Sequence, residues 1–243
     1  MKTRLLSASA VLLTGTFSAT AAADTWRGQV TPYVWMPSLA GDIRPTSSAP
    51  TLSTRQSFGD ILDDLDAAFF LHATARRDRL VLFGDISHAS LSTSATLAPG
   101  VSIEGRARQT SLTAAAGYQV VQAPDISLDL LAGARLWRAR ASVDVPALGL
   151  GAIESERWVD PLLAARLRSD LTPDWSAMLY ADVGGFGVGS DATWQAVGSL
   201  NYRLNDALYL SAGYRHLAVR YEDNGARLDI EMSGPLLGAT WRF

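Results

Sequence analysis

Alternation with a period of two constrains this chain more than any other feature. Residues 194–203 place Trp194, Ala196, Gly198, Leu200 and Tyr202 on one face, and Gln195, Val197, Ser199, Asn201 and Arg203 on the other. Successive side chains of a strand point to opposite sides, so such a segment has one apolar face and one mostly polar face. The split recurs in 128–136, 175–183, 208–215 and 235–243, while heptads, internal repeats and helical stripes of useful length are absent. In 235–243 the apolar set is Pro235, Leu237, Ala239, Trp241 and Phe243, whereas upstream Leu228, Ile230 and Met232 have the opposite parity. A bulge near Ser233-Gly234-Pro235 would reconcile the two.

The ends narrow the architecture. Lys2 and Arg4 precede an apolar stretch that includes Leu5, Leu6, Val11, Leu12, Leu13 and Phe17, and Ala21-Ala22-Ala23 follows. That is the pattern of a secretory signal peptide over residues 1–23, with Asp24 as the mature start and one domain over 24–243. No later window approaches the ~20 apolar residues of a spanning helix. Mean hydropathy is nonetheless slightly positive, at +0.09. An exported chain of alternating strands that closes on Trp241-Arg242-Phe243 reads as an all-β, transmembrane, antiparallel up-and-down β-barrel of a Gram-negative outer membrane. Phe243 is the expected assembly signal, with outer-membrane lipids and the barrel-assembly machinery as partners. The alternative is a soluble periplasmic β-sandwich or lipocalin-like barrel.

Composition excludes some chemistry. There is no cysteine, so thiol catalysis and disulfides are ruled out. Lys2 is the only lysine, which leaves arginine as the sole cationic side chain of the mature chain. The net charge of −3 becomes −5 once Lys2 and Arg4 are removed, and nothing suggests a nucleic-acid partner.

About ten strands are expected, near 26–38, 67–77, 79–93, 102–121, 126–143, 155–170, 174–187, 191–204, 207–222 and 226–243, with eight or twelve as alternatives. Tight polar turns follow the second, fourth, sixth and eighth strands at 77–79, 122–125, 171–174 and 204–206. Short turns belong on the periplasmic side and longer connections outside. The longest outer connection is 39–66. Within it, 42–56 reads as an irregular loop and 57–65 as a short helix capped by Ser57, with Asp60 near its positive end. Tyr118, Trp175, Tyr202, Trp241 and Phe243 fall near periplasmic strand ends. Trp35, Trp137, Trp158, Trp194 and Tyr221 fall near outer ends, as two aromatic girdles would.

The segments PYVWMPSLAGDI (32–43), SFGDILDDLDAAFF (57–70), DVGGFGVGSDATWQ (182–195) and GYRHL (213–217), with the terminal WRF, resemble a poorly characterised family of small Gram-negative outer-membrane barrel proteins described as porin-like. The resemblance spans nearly the whole mature chain. It implies fold and location and carries over no catalytic residues.

Inward candidates are Arg27, Asp85, Asp129, Arg135, Asp160, Arg166, Asp182, Arg203 and Arg215, with Glu231 above the expected bulge. Such charges either pair and lock the barrel or line a narrow aqueous path, and mixed signs argue against strong ion selectivity. The glycines of 184–189 lack the ending of a phosphate loop and read as a bend, a bulge or close packing. His88 and Ser90 share a lipid-facing strand side, but no acidic third partner is legible. Neither histidine spacing nor the Asp60-Asp63-Asp64 run supports a metal or acid-protease site, and no cofactor is expected. Three functions follow: porin-like passage of small polar solutes, a non-conducting structural or surface barrel with a salt-bridged lumen, and an outer-membrane enzyme acting on lipid.

Overall fold

The chain pairs its strands in sequence order and then closes on itself, leaving no free edge through the membrane zone. The structure, a computed structural model, describes residues 26–44, 50–98, 101–223 and 225–243. The expected signal peptide and the mature start at Asp24 lie outside the described residues. The elements are β1 (Arg27–Trp35), β2 (Ser38–Arg44), β3 (Leu52–Gln56), α1 (Phe58–Asp63), β4 (Leu65–Arg77), β5 (Leu80–Ala98), β6 (Val101–Gln122), β7 (Ile126–Val145), β8 (Leu150–Asp170), β9 (Trp175–Gly184), β10 (Ala192–Arg203), β11 (Leu208–Asp223) and β12 (Ala226–Arg242). Each strand from β4 to β12 is antiparallel to the next, and β1 joins β4 to β12. In a bilayer core every backbone donor needs an internal partner, and a closed ladder supplies one for each.

The barrel has ten strand positions. β1 and β2 share one of them: β1 pairs with the last part of β12 and β2 with its first part. The chain steps between them at Met36-Pro37, and the backbone there occupies the space where a Cβ on Gly234 would stand. That close approach explains the glycine at 234. It also replaces the expected bulge, because the β11–β12 register runs unbroken from Leu208↔Trp241 to Asp223↔Ala226. Leu228, Ile230 and Met232 therefore stay in register with Leu236 and point inward. Part of the expected irregular loop is likewise ordered as the β2–β3 hairpin.

The tight turns are built by their side chains. Asp78 takes a left-handed φ of 51° in the hairpin from β4 to β5, a conformation that Asp tolerates. Thr172 Oγ1 accepts from the backbone N–H groups of Asp174 and Trp175, and Asn205 Oδ1 from those of Ala207 and Leu208. These turns mark the periplasmic end. At the other end the connections are strand extensions more than loops: β5, β6, β7 and β8 are 19, 22, 20 and 21 residues long. About 9–11 residues suffice to cross a bilayer, so these two hairpins project well beyond it.

Outward faces carry a continuous apolar band. On β6 to β8 it runs through Leu112, Val120, Leu130, Leu136, Val159 and Leu163, all exposed. Tyr118, Trp175, Tyr202, Trp241 and Phe243 form its periplasmic girdle, also exposed.

Candidate functional site

The interior divides into two levels. In the periplasmic half, arginine and aspartate side chains meet in pairs. Asp129 accepts two bonds from Arg76 Nη2, at 3.0 and 2.9 Å, and two from Arg166, Nε at 3.0 Å and Nη2 at 2.8 Å. Arg166 Nη1 also donates to Thr74 Oγ1 at 2.8 Å. Higher up, Arg135 Nη2 donates to Asp182 Oδ2 at 2.6 Å and its Nε to Thr113 Oγ1 at 2.9 Å, while Gln195 donates to the same carboxylate. Tyr33 donates its hydroxyl to Asp85 at 2.9 Å, and Arg215 donates to the Tyr33 oxygen and lies 3.8 Å from Asp85. Ionised forks of this kind are the strong class of hydrogen bond, and each aspartate in these pairs sits against a guanidinium.

Arg76, Asp85, Asp129, Arg166 and Arg215 line a chamber of about 730 Å³ whose wall also includes Arg27, His72, Gln119, Ser199, Tyr209 and Thr240. Pro124, Asp206, Arg242 and Phe243, all at the periplasmic end, form its mouth. Its inner end meets Tyr33, Phe83, Tyr180, Arg215 and Leu236.

Above lies a layer of rings. Trp137, Trp158 and Tyr221 stack in series, with centroids 5.8 and 4.3 Å apart, and Trp35 meets Phe70 edge-on at 6.2 Å. Leu217, Val219, Ile230 and Met232 fill the remaining space. The layer is tied to the charges beneath it: Arg215 lies over the Trp35 ring at 4.6 Å and Arg135 beside Trp137 at 5.7 Å. Asp160 anchors it through neutral donors, namely Trp137 Nε1 at 2.7 Å, Ser190 N–H at 2.6 Å and Ser190 Oγ at 2.8 Å. Trp158 Nε1 in turn donates to Ser190 Oγ.

Ser190 arrives on the glycine-rich segment, which forms the β9–β10 connection. Gly185, Phe186 and Gly187 have φ values of 86°, 52° and 73°, folding the loop back on itself. Gly189 lies flat against β8, where a Cβ would stand 2.5 Å from the Val159 carbonyl oxygen. The segment is a latch over the aromatic layer.

Of the residues singled out from the sequence, Asp85, Asp129, Arg135, Asp160, Arg166, Asp182 and Arg215 are buried in the barrel. Arg27 is exposed at the chamber mouth. Arg203 sits at the periplasmic rim, 3.4 Å from Asp174 and 3.8 Å from Asp206. Glu231 is a correction: it is exposed and faces outward, paired with Ala218 and Ala40, while its neighbours Ile230 and Met232 are buried. The unbroken register of β12 is the reason. Trp35, Trp137, Trp158 and Tyr221 are a second correction, since they belong to the interior and not to an outer girdle. Their parity carries the signal: Trp137 shares a strand face with Arg135, and Trp158 with Asp160.

His88 and Ser90 face outward, and an acid does approach them. Ser90 and Ser92 donate to Asp66 at 3.4 and 2.6 Å, but His88 Nδ1 is engaged with Thr110 Oγ1 at 2.8 Å. The three are therefore not wired as a catalytic relay. Asp60 is occupied in the capping box of α1 with Ser57.

Among solved structures, the outer membrane protease OmpT from Escherichia coli is similar at a TM-score of 0.54, with 9% identity over 94% of this chain and 100% of that one. This is the fold of an outer-membrane β-barrel. The translocator domain of the autotransporter NalP from Neisseria meningitidis follows at 0.48, with 14% identity over 90% of this chain and 88% of the other. The attachment invasion locus protein Ail of Yersinia pestis gives 0.39, with 12% identity over 90% and 98%. No family model and no curated protein matches the chain. With its lipid-facing band, the outer-membrane barrel is placed in the bacterial outer membrane.

Proposed function

We propose that the protein is a non-conducting outer-membrane barrel that anchors and presents the projecting β5–β8 sheet at the cell surface. One observation carries this reading: the stacked Trp137-Trp158-Tyr221 layer, latched by Ser190, lies across the barrel between the periplasmic chamber and the outside. A polar solute entering the chamber meets buried rings and aliphatic side chains, which offer it few hydrogen bonds in exchange for its water. The proposal contains no catalytic step. Removal of residues 1–23 and recognition of the terminal strand through Phe243 by the barrel-assembly machinery belong to the same reading.

Single-channel recording tests it. The refolded barrel, residues 24–243, is expected to be silent in a planar bilayer, while the double variant Trp137→Ala/Trp158→Ala gives discrete steps. Steps from the unaltered protein would overturn the proposal. They would favour porin-like passage of small polar solutes, a reading that the polar wall of the chamber supports.

A further inference from the structure

Five arginines stand on the outward faces of β6, β7 and β8: Arg106, Arg108, Arg138, Arg140 and Arg157. They begin where the apolar band ends. The outward rung Ile86, Leu112, Leu136, Val159 is followed by His88, Thr110, Arg138, Arg157, and then by Ser90, Arg108, Arg140, Ser155. Below the boundary, Leu128 to Leu136 and Val159 to Leu167 give nine residues of outward band on each strand, close to the ~9–11 of a bilayer crossing. The arginines therefore lie at the depth of the outer-leaflet headgroups.

Their pairing is unfavourable in the protein alone. Arg108 is directly opposite Arg140, and Arg138 directly opposite Arg157. Facing residues on antiparallel strands are about 5 Å apart at Cβ, and like charges there repel. Other outward arginines have acidic partners. Arg106 pairs with Glu104 at 2.9 Å and Asp144 at 3.6 Å, Arg220 with Asp229 at 3.4 Å, and Arg44 with Glu222 at 3.5 Å. Among the described residues, Arg108, Arg138, Arg140 and Arg157 have no carboxylate within ion-pair distance. Asp66, the other acid near this face, is held by Ser90 and Ser92.

We propose that Arg108, Arg138, Arg140 and Arg157 form a binding site for the phosphate groups of the phosphorylated glycolipid of the outer leaflet. Each opposed pair sets two guanidinium forks around one point, and a fork matches a phosphate with two parallel hydrogen bonds. Two such pairs on adjacent rungs suit a headgroup with two phosphates. Ser155 adds a hydroxyl at the margin. The acyl chains would lie along Ile86, Leu112, Leu136 and Val159 directly beneath. A free phosphate would satisfy the forks but would leave that apolar strip unused, which is why the lipid is favoured.

Calorimetric titration of the refolded barrel in zwitterionic detergent tests this, with bis-phosphorylated lipid A, its dephosphorylated form and inorganic pyrophosphate as probes. Lipid A is expected to bind tightest. Changing all four residues, Arg108→Gln, Arg138→Gln, Arg140→Gln and Arg157→Gln, should weaken it on the order of 100-fold, as expected from losing several charge-assisted bonds. Arg220→Gln, on the far face, should leave affinity unchanged. Equal binding of the dephosphorylated lipid by the unaltered barrel would overturn the proposal without any variant needing to fold. Undiminished binding by the folded quadruple variant, checked by heat-dependent gel mobility, would also overturn it. Pyrophosphate binding as tightly as lipid A would overturn the lipid as occupant.

Discussion

Trp158 and Asp129 lie on adjacent strands and both point into the barrel, yet they work under opposite conditions. Trp158 is packed between Trp137 and Tyr221, with its one polar atom satisfied by Ser190. Asp129 is held by the two arginines that bind it, and one of these, Arg76, keeps a side chain 27% exposed and lines the chamber. The outer half is thus held by packing, where any lost volume is a void. The periplasmic half joins an apolar cluster on one wall, around Val81, Phe83, Leu131, Leu162 and Tyr180, to ion pairs beside space that water can enter. A narrow barrel interior has to be filled or hydrated, and this chain does one above the other.

The largest expected effect breaks the outer half. Trp158→Ala should destabilise the barrel by about 3–5 kcal/mol, the range for emptying a buried indole site that cannot collapse. Denaturant unfolding in lipid vesicles measures it. Asp129→Asn comes next, at about 1–3 kcal/mol. Removing one member of a fully buried pair costs more, because the orphaned charge stays buried. Here both partners, Arg76 and Arg166, line the chamber, so water can reach the guanidinium groups that lose the carboxylate. If Asp129→Asn proved as damaging as Trp158→Ala, the distinction between a dry level and a wet one would fail.

Strand number, spacing and closure were legible in the sequence because the bilayer enforces them. Outward residues must be apolar over a fixed length, and the backbone must pair throughout. Facing was legible only where the interior is polar. On β10, Trp194 and Leu200 oppose Gln195 and Ser199, and the assignment follows at once. On β12, Ile230 and Met232 face an interior that is itself apolar, so hydropathy no longer separates inside from outside. Reading them as lipid-facing required a bulge and turned Glu231 inward, when one continuous register needed neither. The tryptophans show the same limit. Trp194 at the surface and Trp137 in the layer are the same residue type, since an indole suits both an interface and a core with a hydrogen-bond acceptor. Parity with Arg135 distinguishes Trp137; hydropathy does not. The glycines of the latch pointed to a close approach without naming its target, the Trp158–Asp160 stretch of β8, which the β8–β9 pairing brings to them.

The smallest effect lies outside both levels, in α1, and sharpens the comparison by serving as its control. Asp60 accepts from both the N–H and the hydroxyl of Ser57, and these bonds lower its pKa from the ordinary 3.8. A carboxylate whose folded pKa is depressed stabilises its helix fully above the unfolded value and loses that contribution as pH falls through the lower, folded one. The cap should therefore hold at pH 7 and release only below about pH 3.8. Carboxyl chemical shifts of Asp60 in micelles would follow the transition. Because the helix has no buried residues, Asp60→Asn should abolish that titration while leaving global unfolding unchanged. A shift of the global midpoint would mean that α1 bears on the barrel interior, and the division into a packed outer level and a hydrated periplasmic level would then have to include the first outer connection.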